Sequence, residues 1–299
     1  MTGSALERLL PPATLAGLAN LELVARVAVE GFLTGLHRSP HYGFSQEFKE
    51  YRAYAEGDDP RFVDWNVYAR TERTYIRRFE GETNTRLMLL LDASASMQYG
   101  SHAVSKLQYG KFLAAALAYL AARQHDPAGL IVFDEAVRHY RPATSRAGSL
   151  QGMIHAIDAV EPARGTDLPA SFQGFGEQVK RRGLVVVISD LYCEPAALGR
   201  AARPLAYHGQ DVILFQVLDP QELQPQWRDS VVFEDLETGR HINVDPEYLS
   251  GAYRERLEAH LASLRHAAAK LGAHHVLVRT DEPLDRALRR YLMFRQGRT

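Results

Sequence analysis

The run Leu89 to Met97, "LLLDASASM", ends a greasy stretch on one carboxylate and then offers two hydroxyls at alternate positions. Three polar groups gathered where a buried strand stops need partners, because a polar group taken from water without a hydrogen bond is costly. Two further oxygen donors follow later in the chain. Thr166 stands after a glycine in "ARGTDLPASF", and Asp190 ends the apolar run "LVVVISD". Asp92, Ser94, Ser96, Thr166 and Asp190 together offer only oxygen. Hard cations such as Mg²⁺ take such ligands in an octahedral shell and keep several waters. Softer sites draw on His or Cys, and none of the 12 histidines lies in these segments. The spacing D-x-S-x-S suits this chemistry, because an extended or looped backbone turns alternate side chains to one side. Mg²⁺ is the expected ion, with Mn²⁺ or Ca²⁺ as substitutes.

The elements that would position these residues alternate from Leu87 onward. "LMLLLD", "GLIVFDE", "LVVVISD" and "DVILFQVLD" are strands without polar alternation, separated by helical patterns such as "AVSKLQYGKFLAAALAYLAARQHD" and "LPASFQGFGEQVKRR". A small amphipathic helix is expected from about Ser101. Apolar strands between helices predict a mostly parallel α/β sheet covered on both faces. In such sheets ligands bind beyond the carboxyl ends of the strands, where the strand order reverses, and that is where the oxygen donors fall. "VRHYRPA" reads as a strand turned back at Glu135-Ala136, and "VVFEDLETGRHINV" as a hairpin insertion at about 230–244. A long helix should begin after Asp245-Pro246 and stop at Gly272. The expected division is 1–85, an amino-terminal helix and an aromatic, charged segment packing on the main domain, and 86–299, the α/β domain.

Bulk properties exclude several classes. The 299 residues are 46% hydrophobic and 24% charged, with a formal net charge of -1, so there is no global electrostatic footprint for nucleic acid. One cysteine, Cys193, allows no disulfide framework and no cysteine zinc site. The opening "MTGSALERLLPPATLAGLANLELVARVAVEGFLTG" lacks the layout of a signal peptide, and Glu22, Arg26 and Glu30 interrupt its apolar residues at helical spacing. An amphipathic helix and a cytoplasmic protein without a membrane span are the expectation.

With D-x-S-x-S after the first sheet strand, a threonine later and an aspartate after another apolar strand, the chain resembles von Willebrand factor A domains with their metal-ion-dependent adhesion site. The resemblance implies that Ser94 and Ser96 bind a metal directly. Thr166, Asp92 and Asp190 would bind it directly or through water, and a partner's carboxylate would complete the shell. Asp190 is followed by Leu191, where that family usually has glycine. A more specific resemblance runs from about Tyr42 to the end. "EFKEYRAYAEGDDPRFVDWNVYART", then a strand and D-x-S-x-S, with the closing "RTDEPLDRALRRYL", is similar to the bacterial domain of unknown function 58. Members are typically encoded beside MoxR-type AAA+ ATPases. The resemblance therefore implies an adaptor or co-factor of such an ATPase in assembly or metal insertion, with a client supplying Glu or Asp to the metal.

Plainer readings compete. D-x-S-x-S can be an Asx or Ser turn capping the next helix, Thr166 a helix N-cap, and Asp190 a carboxylate bonded to loop amides. Gly57 to Arg61 is good turn chemistry, with Trp65 packing as core and Tyr51, Tyr54 and Tyr68 on the sheet's flank. The adjacent His274 and His275 point to opposite faces of a strand and make a poor metal site. No G-x-S-x-G elbow, Walker A loop or G-x-G-x-x-G follows a strand. An aspartyl-phosphate enzyme would want a second acid where Ser94 stands. Catalysis is not expected. Metal-dependent hydrolysis at Asp92 and Asp190, and a structural partner with an empty site, are the alternatives to a metal-dependent protein-interaction module.

Overall fold

A computed structural model describes residues 11–37, 48–54, 63, 65–71, 73–79, 85–162, 182–207, 209–226, 230–234, 236, 239–244 and 251–296. Two compact units emerge, one of residues 1–32 with 85–299 and one of residues 33–84. The amino-terminal helix, through Phe32, thus belongs with the sheet rather than with the aromatic segment that follows it.

In the larger unit, α1 (Pro12–Ala16) leads into α2 (Leu21–His37). Asn20 Oδ1 caps α2 by accepting from the Leu23 amide at 2.8 Å. Leu21, Val24, Ala25, Val29 and Phe32 are buried while Glu22, Arg26 and Glu30 face outward, the amphipathic pattern of the sequence. The smaller unit holds β1 (Phe48–Ala53), α3 (Trp65–Thr71) and β2 (Tyr75–Phe79), with β1 and β2 antiparallel. Here one expectation is corrected. Trp65 is 62% exposed, and Tyr54 and Tyr68 are also exposed. Residues three apart on a helix are neighbours, and Trp65 meets Tyr68 edge-on at 6.0 Å instead of entering a core. The stretch from Gly57 to Arg61 lies outside the described residues.

The sheet of the larger unit begins with β3 (Leu87–Asp92), followed by a 3₁₀ turn (Ala95–Gln98) and α4 (Lys106–Arg123). Then come β4 (Ala128–Phe133), β5 (Val137–Thr144), α5 (Ser149–Asp158) and β6 (Leu184–Ser189). The chain continues through α6 (Pro195–Tyr207), β7 (Asp211–Leu218), the single turn α7 (Pro220–Leu223) and the hairpin β8 (Val231–Glu234) and β9 (His241–Val244). It closes with α8 (Ala252–Lys270), β10 (His274–Arg279) and α9 (Leu284–Gln296).

The strand order is β10-β7-β6-β3-β4-β5, parallel except for β5, which runs antiparallel to β4 at one edge. β3, β4 and β6 are buried along their whole length, which is why their sequences show no alternation. Met88, Leu90, Val185, Val187 and Leu214 pack on one face against Leu198, Leu205 and Leu264 of α6 and α8. α4 covers the other face, beside α5 and α9. It starts at Lys106, five residues later than expected, with Ser105 Oγ accepting from the Gln108 amide at 3.2 Å. A Cβ on Gly110 would stand 3.1 Å from Leu91 Cδ1 and 3.3 Å from Ile188 Cγ2. Its absence seats α4 tightly under the ends of β3 and β6. The fold is the expected α/β class, with the antiparallel edge strand that the resemblance implied. Among the described residues no helix is long and apolar enough to cross a membrane.

Candidate functional site at the carboxyl ends of β3 and β6

Chain connections leave β3 in opposite directions, to β4 on one side and, later, to β6 on the other, so the ends of β3 and β6 form the topological switch point. Asp92 is the last residue of β3 and is fully buried. Its Oδ1 accepts from the Ser94 amide at 2.8 Å and its Oδ2 from Ser189 Oγ at 2.5 Å, across the strand pair. Ser94 precedes the 3₁₀ turn in extended backbone, and the turn brings Ser96 round so that the two hydroxyl oxygens stand 3.1 Å apart. Met97 and Ala95 point into the core and anchor the loop. Asp190 follows β6, and Lys106 Nζ donates to its Oδ2 at 2.9 Å. Four of the five expected donors therefore gather at one sheet edge. Thr166 lies outside the described residues.

The backbone after β6 explains the unusual Leu191. Leu191 has φ 54°, in the left-handed region where glycine carries no Cβ penalty and other residues lose about 1–2 kcal/mol. Its side chain is fully buried in the cluster with Leu198 and Leu205, which offsets the strain. The turn is pinned by the Leu191 amide on Ser189 Oγ at 3.0 Å and by Gln216 Nε2 on the Asp190 carbonyl at 2.9 Å. His275 Nε2 in turn bonds Gln216 Oε1 at 2.9 Å. Burial, with Arg265 and His274 nearby, lowers His275 to about 4, so it is the neutral ring that donates here. His274 stacks on Phe294 instead. The two adjacent rings thus turn to different neighbours.

The sequence reading missed Lys106, Ser189 and Glu222. Lys106 is 1% exposed and bonds Glu222 Oε1 at 2.6 Å as well as Asp190. The rings of Tyr192 and Tyr99 flank the ammonium at 4.9 and 5.9 Å. Glu222 Oε2 accepts from the Asp219 amide at 2.7 Å, so a capping box of α7 carries Lys106's second partner. Asp219 is a third buried carboxylate at a strand end, directly after β7. Its Oδ2 and Oδ1 accept from the amide and hydroxyl of Ser101 at 2.9 and 2.6 Å, tying the loop before α4 to β7. One signal was available for Asp219, since "DVILFQVLD" ends as the two other site strands do.

Electrostatically the buried carboxylates of the site outnumber its one ammonium, Lys106. Burial, then the charge of Asp190, pushes Asp92 up to about 7 despite hydrogen bonds from Ser189 and Ser94. Burial alone would lower Lys106, but Asp190 and Glu222 hold it above the ordinary lysine value. Burial, then Asp190 and Asp92, pushes the Cys193 thiol up to about 12, which removes it as a nucleophile. Among the described residues no three His, Cys, Asp or Glu side chains converge on one metal position. An ion here would rest on the hydroxyls of Ser94 and Ser96, on Asp92 and Asp190, and on water. That all-oxygen, partly hydrated set is of the kind Mg²⁺ takes.

Relatives are similar over most of the chain. The uncharacterized protein Mb1516 of Mycobacterium bovis and Rv1480 of Mycobacterium tuberculosis are each 29% identical over 276 residues, covering 90% of this chain and 86% of theirs. Among solved structures, the conserved hypothetical protein BatB of Bacteroides thetaiotaomicron is 17% identical with a TM-score of 0.47, covering 72% of this chain and 100% of that one. Residues 50–267 match the family described as protein of unknown function DUF58, and the chain belongs to that family.

Proposed function

We propose that the protein is a metal-dependent protein-interaction module whose strand-end site seats one Mg²⁺, completed by a Glu or Asp of a bound protein. The observation that carries this reading is the pairing of Ser94 Oγ with Ser96 Oγ at 3.1 Å beside two buried carboxylates at the switch point. Two hydroxyls facing each other satisfy only part of their bonding capacity, whereas a cation between them and Asp190 would take lone pairs from both. The open coordination positions would be filled by water and by a carboxylate from outside, which makes binding conditional on the partner. By family resemblance, that partner system is a MoxR-type AAA+ ATPase and its client, with this protein as adaptor in assembly or metal insertion.

The test is a pull-down of a cognate ATPase and client with and without chelator, alongside thermal melts in millimolar Mg²⁺. Association that needs Mg²⁺ and disappears in Ser96→Ala, with the circular dichroism spectrum unchanged, is the expected outcome. Association indifferent to chelator and to Ser96→Ala, together with a melting temperature that Mg²⁺ does not raise, would leave the metal reading without support.

A further inference from the structure

We propose that Lys106 is the charge-tuning residue of the strand-end site, a tethered cation that shifts the site's selectivity toward divalent and away from trivalent ions. The inference rests on the metal reading above and concerns what that site selects.

Lys106 occupies the first turn of α4, where the positive end of the helix dipole disfavours a cation, and it is 1% exposed. Neither its helix nor solvent provides a reason for it to be there. Its partners do. The ammonium bridges Asp190 Oδ2 at 2.9 Å and Glu222 Oε1 at 2.6 Å, with Tyr192 closing one side. Asp92, Asp190 and Glu222 are three carboxylates set against this single ammonium. With all of them ionised, these four side chains sum to a formal charge of −2. Asp219, held ionised by its bonds from Ser101 and Gln221, adds a further fixed charge that is the same in every variant below. Among the described residues the side-chain oxygens of Glu222 bond Lys106 and the Asp219 amide, so it acts on a bound ion through the field, and Lys106 offsets that field. An ion of charge +3 gains one more unit of interaction from each nearby charge than an ion of charge +2. Changing the fixed charge by one unit therefore alters their relative affinity by one unit-charge interaction. For a screened unit-charge interaction of about 1.4 kcal/mol, that is about tenfold.

The experiment measures Mn²⁺ and Tb³⁺ affinities of the full chain by calorimetry and terbium luminescence. Three variants set the fixed charge independently of side-chain identity. Lys106→Met leaves −3 and should raise the Tb³⁺ to Mn²⁺ affinity ratio about tenfold. Glu222→Gln leaves −1 and should lower it by about the same factor. The double variant returns the charge to −2 with both native side chains gone, and its ratio should return to that of the wild type. Loss of packing alone would weaken both ions in every variant and would not reverse sign between the two single changes. Should Lys106→Met fail to fold, Glu222→Gln and the double variant still carry different expectations, a lowered ratio and an unchanged one. A ratio that stays constant while Mn²⁺ binds overturns the role of Lys106 and leaves the metal reading standing. If neither ion binds the wild type or any variant, both fall.

Discussion

Ser189 Oγ donates to Asp92 Oδ2 at 2.5 Å, joining the last residue of β6 to the last residue of β3. The same hydroxyl accepts from the Leu191 amide at 3.0 Å, so one side chain holds both the carboxylate and the turn that follows it. Ser189→Ala removes a hydrogen bond to a charged group and leaves a buried amide without its acceptor. A loss of about 1.5–3 kcal/mol in urea unfolding is expected. Because that bond favours the ionised form of Asp92, the loss should be larger at pH 8 than at pH 5.

Asp92 also gives the metal-free protein a definite pH dependence. Its folded value, about 7, lies above the ordinary carboxyl value of 3.8, so between them the native state holds a proton that the unfolded state has released. The sign follows: this contribution to stability is full below about pH 4 and disappears as pH rises through about 7, by at most on the order of 4 kcal/mol. Melts in chelator at pH 5 and pH 8 should show the wild type losing more stability than Asp92→Asn, which cannot ionise. On the metal reading, Mg²⁺ should recover the loss at pH 8. A difference between the two proteins that is flat across this range would show that Asp92 titrates normally.

The unequal legibility of the site has a physical basis. β3, β4 and β6 are buried on both faces, so their composition alone marks them as central strands, and the residues ending them are marked as the place for chemistry. Asp92, Ser94, Ser96 and Asp190 were read from that logic. Lys106 was not, because a lysine in the first turn of an amphipathic helix looks like a solvated residue. What buries it are Asp190 and Glu222, 84 and 116 residues away, and no local pattern announces such partners. Leu191 is the converse case. Its difference from the glycine of the wider resemblance was visible, but only the left-handed φ and the buried side chain explain how leucine is tolerated there.

That explanation has its own test. In most settings alanine is more stable than glycine, by roughly 0.5–1 kcal/mol in regular structure. At Leu191 both substitutions forfeit the buried side chain, a loss of about 2–5 kcal/mol for Leu→Ala in a core. Only glycine also relieves the strain at φ 54°. Leu191→Gly should therefore be more stable than Leu191→Ala by about 1 kcal/mol, reversing the ordinary order. Equilibrium unfolding of the two variants decides it, and the ordinary order would mean the turn relaxes when the leucine is removed.

The exposed Trp65 separates the two units experimentally. A buried aromatic truncated to alanine loses about 3–5 kcal/mol, and Phe133, fully buried at the end of β4, should behave so. Trp65 is 62% exposed and its contact is the edge-on pair with Tyr68, so Trp65→Ala should lose less than about 1 kcal/mol. The chain has two tryptophans, and a Trp227→Phe background leaves Trp65 as the sole indole reporter. In that background its fluorescence should be quenched readily by acrylamide in the native state, and little more readily after unfolding. Should Trp65→Ala instead match Phe133→Ala in stability loss, and Trp65 resist quenching, the ring is covered in solution. The aromatic segment would then be core after all. If stability is kept but association with the ATPase is lost in Trp65→Ala and retained in Asp92→Ala, recognition belongs to the smaller unit, and the metal site is not where the partner binds.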